Sequence, residues 1–407
     1  MRPAAHDVPD VVAPPPGNPR FPLFDSLRAV AALSVVATHT SGLTTFNFSN
    51  NVLGPFTARL NVGVTIFFII SGFLLYRPFV AARLEGRSAP KLLAYGRRRL
   101  LRIVPAYWLA LTVLAIWPGL SAVFAHTWWI YYLYIQNWHP GWITGGLAAA
   151  WSLAVEMSFY AALPFYAMAT ARLLRGRARR TQARVEYAAL TALALASVAG
   201  HVIAHQTDPN GTFANTLPGT FLWFALGMGL AVASAAWHHR PDAEVPAFVL
   251  VVRRHGWLAW AAAFAALVVT TRIGLPRTYP PLYTELRWNL EYVLYAAIAF
   301  FFVLPAVFGD DRGGWPRRLL AWRPLAWLGL VSYGIFLWHL PLAEQFSEHL
   351  PHSYALVTVT TAAAATACAA ASYYLVERPL LKFKDPRGRR RERATAAPAA
   401  AQPRSAG

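Results

Sequence analysis

Long apolar runs separated by short polar, arginine-bearing segments dominate the chain. Ten runs are long enough to cross a bilayer, which takes about 20 apolar residues each. They cover 24–43, 60–82, 103–124, 147–169, 186–204, 216–236, 257–275, 287–308, 324–345 and 353–376. The pattern predicts an all-α, polytopic membrane protein with about ten transmembrane helices. Residues 1–20 are rich in Pro, Ala and Asp and lack an apolar core, so they read as a disordered tail and not as a signal peptide. Residues 383–407 read as a second disordered tail, basic in character. Between them, residues 21–382 form one membrane domain with no internal repeat and no soluble domain at either end.

Composition supports this reading. Only 14% of residues are charged and 56% are hydrophobic, whereas soluble domains carry about 25% charged residues. A formal net charge of +19 raises the question of a nucleic-acid partner. The distribution of charge answers it. With the N-terminus inside, 33 of the 37 Lys and Arg lie on the cytoplasmic side, and only Arg59, Arg272, Arg277 and Arg287 lie outside. That asymmetry places both termini in the cytoplasm. It also scatters the basic residues over separate loops, leaving no continuous surface for nucleic acid. The single cysteine, Cys368, lies in an alanine-rich run, and metal-ligand spacing of the CxxC type is absent, so no metal is expected. The excess of Arg over Lys, with abundant Ala, suggests a GC-rich, bacterial genome.

Several polar residues interrupt the apolar runs. Arg28 and His39 stand eleven residues apart in the first span. At ~100° per residue they share one helix face, ~16 Å apart along the axis. Ionisable groups inside membrane helices tend to face a protein interior or a wet cavity, although a snorkelling arginine and a packing histidine are the plain alternatives. In AWSLAVEMSFYAALP (150–164), Ser152, Glu156, Phe159 and Tyr160 form one helical stripe, with Glu156 near mid-span. An interhelical Glu–Arg pair, or a carboxylate that orients His39, both fit. Arg97, Arg98, Arg99 and Arg102 cluster at the cytoplasmic entrance to the third span. They could hold phosphates through guanidinium forks, or signal topology alone. Ser71 precedes Gly72 in the second span, and Ser332, Tyr333 and His339 lie in the ninth. The segment 126–146 is rich in Trp and Tyr, as an interfacial belt or a platform for sugar rings would be.

Together these stretches resemble the integral-membrane acyltransferase-3 family over about residues 21–382. The resemblance rests on Arg28 and His39 in the first helix and on Arg97 to Arg102, followed by Pro105 and Tyr107. It also rests on Ser152, Leu153, Val155, Glu156, Phe159 and Tyr160, on Ser332, Tyr333 and His339, and on Glu377-Arg378-Pro379. One departure is Ser26, where the family more often has glycine. The resemblance implies O-acyl transfer at the cytoplasmic membrane. The donor would be acyl-CoA, with acetyl as the default acyl group. The acceptor would be a hydroxyl of a carbohydrate or glycosylated molecule, such as surface polysaccharide, peptidoglycan, a glycolipid or an antibiotic sugar. The chain is expected to be a single-domain member without an esterase-like extension, and its oligomeric state, homo-oligomer included, stays open.

On this reading His39 is the general base, Glu156 stabilises its imidazolium form, and Arg28 holds the acyl-CoA arm or offsets negative charge developing near the thioester. Arg97, Arg98, Arg99 and Arg102 grip the coenzyme phosphates, while Ser71, Ser152, Tyr160, Tyr333 and His339 line the substrate path. Transfer through an acylated side chain stays open beside direct transfer. A transporter or flippase for a lipid-linked or small hydrophobic solute is the main rival, because buried charges on one face also serve transport paths. A receptor or scaffold leaves Glu156 and His39 unexplained.

Overall fold

A computed structural model describes residues 21, 23–143, 145–208, 211–237, 244–277, 285–308 and 314–383, and every regular element among them is helical. The tails expected at 1–20 and beyond 383 lie outside the described residues. Ten long helices follow the apolar runs. They are α1 (Leu23–Leu43), α2 (Val62–Leu84), α3 (Leu92–Ile116), α4 (Trp151–Leu173) and α5 (Arg179–Thr207), then α6 (Leu217–Trp237), α7 (Gly256–Arg272), α8 (Glu285–Phe308), α9 (Arg323–His349) and α10 (Tyr354–Ser372). The chain continues from α10 through a π-helical turn at Tyr373–Glu377 to a last helical turn at Arg378–Leu381.

Among the described residues, seven helical stretches are long and apolar enough to cross a membrane by length and composition: those of α2, α3, α5, α6, α8, α9 and α10. Helix α7 is apolar but has 17 residues. Helices α1 and α4 have 21 and 23 residues, and their polar and ionisable side chains dilute the apolar character. The helix expected from residue 103 starts at Leu92 instead. Arginine and leucine both favour helix, so the basic cluster forms the first turns of α3 and not a loop before it.

Backbones meet closely where small residues allow it, as is usual between membrane helices. Helix α2 packs along α6, and α1 packs along α9, which in turn packs along α10. At Gly227 a Cβ would lie 2.9 Å from the Ile69 carbonyl carbon and 2.9 Å from the Phe73 nitrogen. At Gly329 a Cβ would run into the Asp25 backbone. Only glycine admits these approaches, and they bring the polar residues of α1, α2 and α9 together. Buried ionic contacts tie the periphery to this centre. Arg83 on α2 pairs with Glu186 on α5 at 2.6 Å, Tyr76 donates to the same carboxylate, and Arg59 pairs with Glu291 on α8 at 2.6 Å.

The aromatic segment between α3 and α4 folds back on α3. The Tyr107 hydroxyl donates to the Tyr131 carbonyl at 2.9 Å, and the Tyr107 ring stacks on Tyr134 at 4.4 Å. Asn137 donates to the Trp151 and Asn215 carbonyls at 2.7 and 2.6 Å, which anchors the segment to the start of α4. Trp128 and Trp138 remain exposed.

Candidate active site

A cavity opens between α1, α2, α3, α4 and α9. Its polar lining is Arg28, Ser71, Arg99, Arg102, Ser152, Glu156, Tyr160, Ser332 and Tyr333, and its apolar walls include Val64, Phe67, Phe68 and Phe336. The space between these side chains, counting the part open to solvent, measures about 730 Å³. Each contributing helix supplies residues at helical spacing. On α3, Arg99, Arg102 and Ile103 fall on one face, whereas Arg97 and Arg98 are not among the residues that line the cavity. The four-arginine cluster expected from the sequence is therefore divided, with two members inside.

Three guanidinium groups and one carboxylate line this space. Arg28 holds Asp25 from its own helix at 3.1 Å. Glu156 accepts a hydrogen bond from the Ser71 hydroxyl. The Arg99 Nε is buried and has no hydrogen-bond partner among the described residues. A cavity with this excess of positive charge suits an anionic ligand, because unpaired buried cations are costly until a counter-charge arrives. Tyr333 donates its hydroxyl to the Ile103 carbonyl at 2.9 Å and so fixes α9 against α3 at the cavity wall. Ser152 and Ser332 donate to carbonyls of Ala149 and Gly329 at 3.2 and 2.8 Å. Ser26, the departure from the family pattern, is fully buried and donates to the Leu320 carbonyl at 2.6 Å.

His39 is placed differently from the expectation. It lies three helical turns above Arg28 and is not among the cavity-lining residues. Its Nδ1 lies 2.9 Å from Nε2 of His339, and the two rings stack with centroids 5.0 Å apart. His39 is half-buried, whereas His339 is 0% exposed. His339, expected along the substrate path, is thus enclosed against His39 and is not among the cavity-lining residues. Glu156, expected beside His39, bonds to Ser71 instead. The link between cavity and histidine pair is aromatic. The Phe336 ring lies 5.5 Å from that of His339 and 6.1 Å from that of Phe67, and both phenylalanines are cavity walls. Their role carries no sequence signal, since each is one more phenylalanine in an apolar run.

A cavity lined by three arginines and a glutamate thus lies among apolar helices, with the Phe336 ring between it and a histidine pair. A model of the acyltransferase-3 family, described as an acyltransferase domain, matches residues 22–375, and the chain belongs to that family. It is 25% identical over 338 residues to the peptidoglycan O-acetyltransferase OatA of Listeria monocytogenes, a match covering 79% of this chain and 49% of that one. YrhL of Bacillus subtilis is 27% identical over 347 residues, covering 79% of this chain and 48% of that protein. The chain thus spans about half the length of these two relatives. The acyltransferase MdmB of Streptomyces mycarofaciens is 24% identical over 295 residues, covering 66% of this chain and 67% of its own length. No solved structure matches the chain.

Proposed function

We propose that the chain is an O-acyltransferase of the cytoplasmic membrane, with residues 21–382 as its membrane domain. It moves an acyl group, acetyl by default, from acyl-CoA to a hydroxyl of a carbohydrate or glycosylated acceptor. The observation that carries this reading is the juxtaposition of the arginine-lined cavity with the histidine pair above it. The name of OatA, a peptidoglycan O-acetyltransferase, agrees with transfer to a hydroxyl, and that of MdmB with acyl transfer.

The donor enters the cavity, where Arg99 and Arg102 meet its phosphates by charge-assisted hydrogen bonds. Arg28, three turns below His39 on the same face, lies too far from that ring to touch the reacting carbonyl and instead holds the arm of the acyl donor in the cavity. The acyl arm passes Phe67 and Phe336 toward His39. There the Nε2 of His39 takes the proton of the acceptor hydroxyl as its oxygen attacks the carbonyl carbon. The carbon–sulfur bond breaks, and the coenzyme thiolate leaves and takes up a proton. Glu156 belongs to the donor chamber in this scheme and acts on Ser71 and the arginines, not on His39.

The test uses protein reconstituted in vesicles, radiolabelled acetyl-CoA and a chito-oligosaccharide acceptor, with the product followed by mass spectrometry. Covalent transfer that is abolished by His39→Ala is the expected result. Normal transfer in that variant overturns the assignment of the base. Movement of solute with no covalent product points to transport instead.

A further inference from the structure

His339 has a defined hydrogen-bond direction. Its Nδ1 lies 2.7 Å from the carbonyl oxygen of Phe336, one turn back on α9. A carbonyl can only accept, so this nitrogen carries the hydrogen. The ring is 0% exposed. Its other polar partner is a second imidazole, not a carboxylate, so nothing near it stabilises a cation and the ring is neutral. A neutral imidazole protonated at Nδ1 has a bare Nε2. That Nε2 faces His39 Nδ1 at 2.9 Å. His39 must therefore donate from Nδ1, which leaves its own Nε2 as the lone-pair nitrogen. The direction of this chain of hydrogen bonds is set at one end by the backbone of α9, and the Val35 carbonyl on α1 is a further acceptor for the His39 ring.

We infer that His339 is the positioning residue of the transfer reaction: it holds His39 as the Nδ1–H tautomer, with Nε2 as the proton acceptor. This rests on the proposed role of His39 as base. The exposures fit the division of labour, since the residue His39 keeps some accessible surface whereas His339 keeps none. When Nε2 of His39 takes the hydroxyl proton, its Nδ1–H keeps donating to His339, and the added charge strengthens that bond. The proton stays on His39 until the leaving thiolate or water removes it, so His339 gains and loses nothing. His339 does the work of a carboxylate orienter without placing a permanent anion there.

The tautomer can be read directly in the full chain. Protein labelled with 15N-histidine in vesicles is examined by solid-state NMR, and the His39 signals are assigned by difference with His39→Gln. Wild type should show Nδ1 protonated and Nε2 bare, whereas a His39 protonated at Nε2 alone overturns the inference even if no His339 variant folds. His339→Met keeps bulk but no good acceptor. It should mix the tautomers and lower kcat ~10- to 100-fold, as loss of an outer-shell histidine partner does at metal sites, with the donor KM unchanged. His339→Gln can accept from His39 through its carbonyl and donate to Phe336 through its amide. It should restore the tautomer and most of kcat. If His39→Ala is dead while His339→Met leaves both kcat and tautomer unchanged, the role of His339 is wrong and the base stands. Transfer surviving in His39→Ala overturns both.

Discussion

The position of Glu156 makes a test that separates two mechanisms. If this carboxylate stabilised the imidazolium of His39, Glu156→Gln would cut kcat by several orders of magnitude at constant donor KM, because loss of the orienting charge in a Ser-His-Asp triad costs roughly 10⁴. In the structure it bonds to Ser71 and lines a cavity shared with Arg28, Arg99 and Arg102. Glutamine keeps the size and an acceptor oxygen. A hydrogen bond to a charged group contributes about 1.5–3 kcal/mol and a neutral one about 1 kcal/mol. The Ser71 contact therefore weakens by roughly 1–2 kcal/mol, which limits the loss of kcat to about 30-fold. The second effect acts on the donor. Removing the only carboxylate from a lining with three guanidiniums makes the cavity more positive. For an anion about 8 Å away at an effective dielectric of about 20, one unit of charge is worth ~2 kcal/mol. The donor KM should then fall, by up to about 30-fold. Steady-state kinetics with labelled acyl-CoA in vesicles measures both constants. A collapse of kcat by a thousandfold or more with unchanged donor KM would refute this placement and return Glu156 to the histidine.

The arginines should behave as two pairs. Arg99→Gln and Arg102→Gln each remove a cavity-lining cation and should raise the donor KM roughly 10- to 100-fold, whereas Arg97→Gln and Arg98→Gln should change it less than about threefold; equal effects from all four would place the coenzyme outside the cavity. Phe336→Ala removes the ring between cavity and histidine pair and should raise the rate with longer acyl donors relative to acetyl, measured as a ratio of kcat/KM; an unchanged ratio means the acyl arm takes another route. Gly227→Ala sets a methyl against the backbone of α2, which cannot yield as a side chain would. It should cost about 1–3 kcal/mol and lower the thermal midpoint in detergent, while Gly96→Ala, with nothing within 4 Å of its Cβ, should not.

The apolar runs and their arginine-bearing breaks were enough to read an all-helical membrane protein and the order of its long helices, because hydropathy decides which segments leave water. The same periodicity put Arg28 and His39 on one face and Glu156 on a stripe with Ser152 and Tyr160. Spacing along a single helix settles only which residues share a side. It does not settle which neighbour that side meets. That Arg99 and Arg102 face inward while Arg97 and Arg98 do not depends on how α3 is rotated against α2, α4 and α9. That rotation is fixed by contacts from distant parts of the chain, among them Tyr333 on the Ile103 carbonyl. His339, which meets His39, lies 300 residues away, and helix packing placed this histidine, expected in the substrate path, against the His39 ring and out of the cavity lining. Glu156 on α4 likewise found its partner in Ser71 on α2, a pairing set by the packing of those two helices and not by spacing along either one. A local pattern specifies helices and their faces. The choice among possible partners for a buried charge is made only when all the helices pack at once, since each unpaired group costs several kcal/mol and the fold must satisfy them together.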